Sequence, residues 1–134
     1  MLGRRYNTGK LKWSLLCWKS LETMVRVLMY GAHKYSVFSN AKGDIIPGSE
    51  ISPEAAEKLD VESSGQHNWK NGLKTTEIID STMRHLLAIA EGEDIDPESG
   101  ESHTGHLFCN VMFLEWMRNN RPDLDDRQNG NSKD

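Results

Sequence analysis

With 134 residues, 16 Lys and Arg against 20 Asp and Glu, and a net charge of −4, the chain has room for one domain with one core and excludes a second. Its charges are interspersed and no basic cluster of the kind that signals nucleic-acid binding appears, the one basic run, Arg4, Arg5, Lys10 and Lys12, being too short to decide anything about DNA, and no signal sequence or membrane-length apolar run points to a membrane, so neither nucleic acid nor membrane is an expected partner. Two cysteines, Cys17 and Cys109, stand far apart in apolar surroundings without zinc-like spacing, so the expectation is a reduced, cytoplasmic protein in which both thiols pack.

Residues 1 to 13 mix Gly, Asn, Thr and basic residues without periodicity and read as an irregular arm, in which Gly9-Lys10 offers an amide and an ammonium to a phosphate. From Ser14, a plausible N-cap, to Tyr35 apolar residues recur at helical spacing through Leu15, Trp18, Leu21, Val25, Leu28, Met29 and Ala32. Glu22 lies on that stripe, where a carboxylate either flanks the core or serves as a metal ligand. Gly31, inside the pattern, suggests a close backbone approach. Between Ser36 and Ser64 the periodicity fails amid Gly, Pro and Ser, giving a long loop with one helical turn opened by Pro53.

The stretch from His67 to Gly72 puts Trp69 among the donors Asn68, Lys70 and Asn71. An aromatic face beside an amide suits a base or ribose, and it suits equally a Trp that plugs the end of a bundle. Thr75 or Thr76 then caps a helix running to about Glu91, with Ile79, Met83, Leu86, Leu87 and Ala90 on its stripe, and a last helix spans about His103 to Asn119. The domain is read as residues 1 to 121, with 122 to 134 a disordered tail that has almost nothing to bury. No strand-like alternation survives anywhere, so the fold class is all-α: a small helical bundle with a long loop insertion after the first helix.

Unusual side chains gather between Ser81 and Leu114. Arg84 and His85 lie on the third patterned segment, Glu93, Asp94, Asp96 and Glu98 fill an acidic loop, and His103, His106 and Asn110 follow at spacings that put all three on one helix face. Imidazoles and an amide on an apolar stripe are costly to bury without partners. Carboxylates this dense become favourable beside a divalent cation, and they serve as well as a solvated cap worth about 0.3–1 kcal/mol against a helix dipole.

Taken together, GRRYNTGKLKWSLL, YGAHKY, NWKNG, RHLLA and GEDIDPESGESHTGH with its following Asn and Phe-Leu resemble the phage dATP/dGTP diphosphohydrolases of MazZ type, relatives of the MazG-like all-α nucleoside triphosphate pyrophosphohydrolases. The resemblance covers nearly everything from Arg4 to Met117. It implies an often oligomeric helical bundle that uses Mg2+ or Mn2+ to split a purine deoxynucleoside triphosphate into monophosphate and pyrophosphate.

MazG-like enzymes carry E-x-x-E on one helix and E-x-x-D on the next, whereas this chain has Glu77-Ile78-Ile79-Asp80 but only Glu22 on the first helix. Two ligand sets stay open: Glu22, Glu77 and Asp80, or His85 with Glu93, Asp94, Glu98 and His103. Asp94 and His85 are the candidate catalytic groups. Lys10, Lys34 and Arg84 are the candidate phosphate contacts, with Asn68 and Trp69 at the nucleoside end and His106 and Asn110 as further substrate contacts. Two other functions compete: a histidine/aspartate metal phosphohydrolase releasing triphosphate or phosphate, and a helical nucleotide-binding protein without turnover.

Overall fold

A computed structural model of the chain describes residues 1–128. Its elements are α1 (Trp18–Lys34), β1 (Val37–Ser39), β2 (Ile45–Pro47), α2 (Pro53–Ala56), β3 (Asp60–Ser63), α3 (Thr75–Ala90) and α4 (His103–Asn120), with short 3-10 turns at Trp13–Leu15, Gly48–Glu50, Asn68–Asn71 and Pro122–Leu124. No helix among the described residues is long and apolar enough to cross a membrane.

α4 lies between α1 and α3 and packs against both. Its start is fixed locally, since the Ser102 hydroxyl accepts the Gly105 N–H at 3.0 Å and satisfies one of the donors that a helix leaves free at its first turn. Gly105 then does a second job. A Cβ at this position would sit 2.5 Å from Thr23 Oγ1 and 2.6 Å from the Thr23 carbonyl oxygen, so α1 and α4 meet this closely only because it is absent. The Thr23 and Ser102 hydroxyls hydrogen-bond across the same crossing, and Cys109 Sγ, one turn on, donates to the Met24 carbonyl at 3.3 Å. Gly105→Ala is expected to cost about 1–3 kcal/mol by overpacking. A thermal melt checks this, and an unchanged midpoint would show that the crossing relaxes freely.

The all-α reading needs correction, because the segment expected as a plain loop contains a three-stranded antiparallel sheet of order β2-β1-β3. Phe38 pairs with Ile46 on one side and Val61 on the other. Strands of three and four residues are too short for an alternating pattern to declare itself. Ser36 docks this sheet on the end of α1: its hydroxyl donates to the Ala32 carbonyl at 2.7 Å and accepts the Gly65 N–H at 2.8 Å. The helical turn opened by Pro53 is present, capped by Ser52.

Several local expectations shift. α1 begins at Trp18 rather than Ser14, which lies in the preceding 3-10 turn. Val27 is the buried residue of α1, while Trp18, Val25 and Met29 of its apolar stripe are exposed, as are Met83, Leu86 and Leu87 on α3. A Cβ at Gly31 would meet nothing; the close approaches to α1 are made from outside it, by Gly105 at Thr23, Gly65 at the Ala32 carbonyl and Gly48 at the His33 carbonyl. Cys109 is buried and its thiol is pushed up to about 12 by burial, but Cys17 is exposed.

Neither Thr75 nor Thr76 caps α3. The Asp126 carboxylate does so from beyond α4, accepting the Thr76 N–H at 2.9 Å and the Thr76 hydroxyl at 2.6 Å, and it favours the positive end of the helix dipole. Arg121 also donates to the Asn71 carbonyl at 3.3 Å. The segment expected as a disordered tail is therefore tied to the start of α3 through Asp126, and residues 129 to 134 lie outside the described part.

A candidate active site between three helices

The arrangement of α1 and α3 on either side of α4 leaves a cavity of about 1100 Å³ over the middle helix. His103, His106 and Phe113 line it from α4, Ser81, Arg84 and His85 from α3, and Val25, Met29 and Lys34 from α1. His106 and Phe113 are seven residues apart, two turns on one face, so about 10 Å of helix axis separates an imidazole end from an aromatic end.

At the imidazole end the His85 and His106 rings stack, 4.3 Å between centroids and 7° from parallel. His106 Nε2 lies 2.8 Å from Ser99 Oγ and 3.3 Å from Asp96 Oδ2. Behind them, buried His103 places Nδ1 2.8 Å from His85 Nδ1 and Nε2 2.7 Å from Glu93 Oε1. The acidic loop is closed on itself, with the Asp96 N–H donating to the Glu101 carbonyl at 2.8 Å and Ile95 bridged to Ser102. This closure brings the Asp96 side chain to the histidines. One nitrogen from each of His85 and His106 and one Asp96 oxygen come within 4.8 Å of one another.

Burial lowers both the His85 and His106 imidazoles below their usual range, and each is lowered further by a neighbouring imidazole. Burial acts to raise the Asp96 carboxyl, but the Glu98 N–H, the Ser99 hydroxyl and the nearby His106 outweigh it and hold the carboxyl below the usual range. Neutral imidazoles beside an ionised carboxylate are competent ligands, and two nitrogens with one oxygen suit Mn2+ better than Mg2+, which prefers oxygen alone. Because protons bind the unfolded histidines more tightly than the folded ones, their contribution to stability is full above the unfolded value near 6.5 and is lost as pH falls below it. Melting curves of the metal-free protein should therefore drop from pH 7.5 to 5.5, and His106→Gln should flatten the slope; parallel slopes would contradict the shift.

At the other end Trp69 packs 4.8 Å from Phe113 and meets Trp116 edge-on at 5.2 Å. His67, with a left-handed φ of 58°, turns the chain into the short helix that carries Trp69. Lys70 Nζ lies 5.5 Å from the Trp69 ring centre. Asn68 lines the cavity beside it.

Of the residues singled out from sequence, the cavity is thus lined by His85, Glu93, Glu98, His103, His106, Lys34, Arg84, Asn68 and Trp69. Lys34 Nζ sits 3.2 Å from Glu98 Oε1 at the rim. Asp94 does not belong to this group: its side chain is exposed, and its carbonyl accepts the His103 N–H at 2.9 Å. Asp96, part of the acidic loop but absent from the candidate ligands, stands where Asp94 was expected. Glu22, Glu77 and Asp80 are exposed and line no part of the cavity, which separates the carboxylate ligand set from the histidines. Lys10 lies in a fully exposed arm, and Asn110 is buried behind the cavity wall, donating to Ser81 Oγ at 3.2 Å. Sequence reasoning missed Phe113 as a cavity wall, although its place seven residues after His106 on the same stripe was a usable signal.

A family model described as dATP/dGTP diphosphohydrolase, N-terminal, matches residues 2–127. Over 128 residues the chain is 30% identical to a dATP/dGTP diphosphohydrolase of Salmonella phage PMBT28, an alignment covering 96% of this chain and 34% of that protein. The chain thus spans about a third of the length of this relative. No solved structure matches it. Since the match takes in all four helices, the sheet and the acidic loop together with the histidines it closes upon, the chain belongs to the dATP/dGTP diphosphohydrolase N-terminal family.

Proposed function

We propose that this chain hydrolyses deoxypurine nucleoside triphosphates, dATP or dGTP, to the monophosphate and pyrophosphate with the help of a divalent cation, and so shapes a phage nucleotide pool in the host cytoplasm. One observation carries the reading: a single cavity joins an imidazole–carboxylate cluster to an aromatic wall, about two helical turns apart on α4. That spacing suits a nucleotide with its phosphates at the histidines and its base near Trp69. The printed name of the phage relative supports the same substrate class.

His85, Asp96 and His106 would hold the cation. When bound, the cation neutralises phosphate charge and makes water a usable nucleophile near neutral pH. Lys34 and Arg84, both lining the cavity, supply the cationic contacts that an acidic chain otherwise lacks, and Arg84 has the fork geometry to hold two oxygens at once. Glu93 holds His103, and His103 holds His85. Kinship with the MazG-like bundles belongs to this proposal as well, although the cation would sit among histidines rather than on the E-x-x-D pair.

That difference in ligands favours keeping one second reading, a histidine/aspartate phosphohydrolase that releases triphosphate or phosphate. Incubation of dATP and dGTP with Mn2+ or Mg2+ and resolution of the products separates them. Monophosphate with pyrophosphate is the expected result, deoxynucleoside with triphosphate would favour the second reading, and binding without turnover would make the chain a nucleotide-binding protein.

Assembly with further copies of the chain is part of the reading. The accessible surface is 10524 Å² for 15.2 kDa, where about 7100 Å² is the norm for a folded monomer of this mass. The arm accounts for part of the excess, but exposed Trp18 on α1 and Met83, Leu86 and Leu87 on α3, none of which lines the cavity, call for a cover. Light scattering should give a dimer or larger at micromolar concentration, and a monomer would refute this.

A further inference from the structure

We infer that Glu93 and His103 act as a positioning pair that holds His85 in the tautomer protonated on Nδ1, so that its Nε2 lone pair is the one presented to the cavity. The inference rests on the reading of His85 as a cation ligand and gives a role to two residues outside the three converging donors. Its basis is a chain of two hydrogen bonds, Glu93 Oε1 to His103 Nε2 at 2.7 Å and His103 Nδ1 to His85 Nδ1 at 2.8 Å.

An ionised carboxylate only accepts, so the His103 Nε2 must carry its hydrogen. A neutral His103 then has a bare Nδ1, and the only hydrogen that can lie between the two Nδ1 atoms belongs to His85. Consequently His85 Nε2 is bare. The rival arrangement makes His103 an imidazolium, which reverses the second bond and leaves an N–H on His85 Nε2, unable to ligate. Only the first arrangement leaves His85 Nε2 with a lone pair for a cation, as the reading of His85 as a ligand requires. Free neutral histidine prefers the Nε2–H form, so an Nδ1–H on His85 is a signature that the protein must impose.

His103 is well suited to impose it. Its backbone N–H is tied to the Asp94 carbonyl, and its ring is fixed at both nitrogens, so the His85 ring is oriented from behind as metal-ligating imidazoles commonly are. Glu93→Gln tests the pair without changing its size, because the amide can turn its NH2 toward His103 Nε2 and release the tautomer.

In isotope-labelled, metal-free protein, long-range proton–nitrogen correlation spectra should show His85 protonated on Nδ1 and bare on Nε2. In Glu93→Gln the His85 signals should move toward the Nε2–H form, Mn2+ affinity measured by calorimetry should fall about 10–100-fold, and Glu93→Asp should restore part of it. An Nε2–H on His85 in the unaltered protein overturns the inference, as does a Glu93→Gln protein with unchanged tautomer. His85→Ala with unchanged Mn2+ affinity refutes the ligand reading instead, and the metal-free spectra keep these two failures distinct.

Discussion

Asp96→Asn is expected to lower Mn2+ affinity and turnover at least about 100-fold with little change in thermal stability, and Asp94→Asn, two residues away in the same acidic loop, is expected to stay within a few-fold of the unaltered protein. The contrast follows from loop closure. Asp96 Oδ2 reaches His106 Nε2 at 3.3 Å and shares the 4.8 Å cluster with His85, whereas Asp94 uses only its carbonyl, to fix the first turn of α4. An amide in place of Asp96 keeps the shape and can still accept the Glu98 N–H, so the change removes charge and leaves the loop standing. Calorimetric titration with Mn2+ and a product assay on both variants test it. Wild-type affinity in Asp96→Asn would remove the carboxylate from the cation site, and a loss in Asp94→Asn matching that in Asp96→Asn would show that the loop as a whole, rather than one ligand, was disturbed.

How far the residues disclosed this site depends on the range of the interactions that build it. His103 and His106 were legible because helical spacing is local: residues three apart share a face of α4. Choosing between Asp94 and Asp96 was not legible, since it turns on hydrogen bonds that close the loop between Ile95 and Ser102, and composition carries no trace of them. The apolar stripes misled in a related way. Val25, Met29, Met83, Leu86 and Leu87 have the period of a buried face, but among the described residues they are exposed, and the helix core is made by Val27, Ile78, Cys109 and Met117. A stripe says which residues share a face and says nothing about what lies opposite it. The sheet escaped for want of length, and the tie between Asp126 and Thr76 because it joins residues 50 apart in the chain.

Trp69→Ala is expected to weaken deoxypurine mono- and triphosphates alike by about 1–3 kcal/mol, the range for a base stacked on an aromatic ring, whereas Arg84→Ala should spare the monophosphate and penalise the triphosphate. The reason lies in the two ends of the cavity. Trp69 stands against Phe113 and Trp116, far along α4 from His106, so under the proposed function it would meet only the nucleoside, which substrate and product share. Arg84 neighbours His85 on α3 and lines the same cavity, where the phosphates that the product lacks would lie. Lys34→Ala should behave like Arg84→Ala but more weakly, because Lys34 is already engaged with Glu98 at 3.2 Å and must exchange that partner for phosphate. Trp69 also packs on protein, so its removal will lower the melting temperature whether or not it touches substrate, and stability alone decides nothing. Titration of each variant with both nucleotides does decide, provided Phe113→Leu, which disturbs the same aromatic cluster from the helix side, is measured beside them. Trp69→Ala that melts earlier yet binds both nucleotides as before would make Trp69 a plug for the end of the helices, and the base would then have to lie elsewhere along the wall formed by α1.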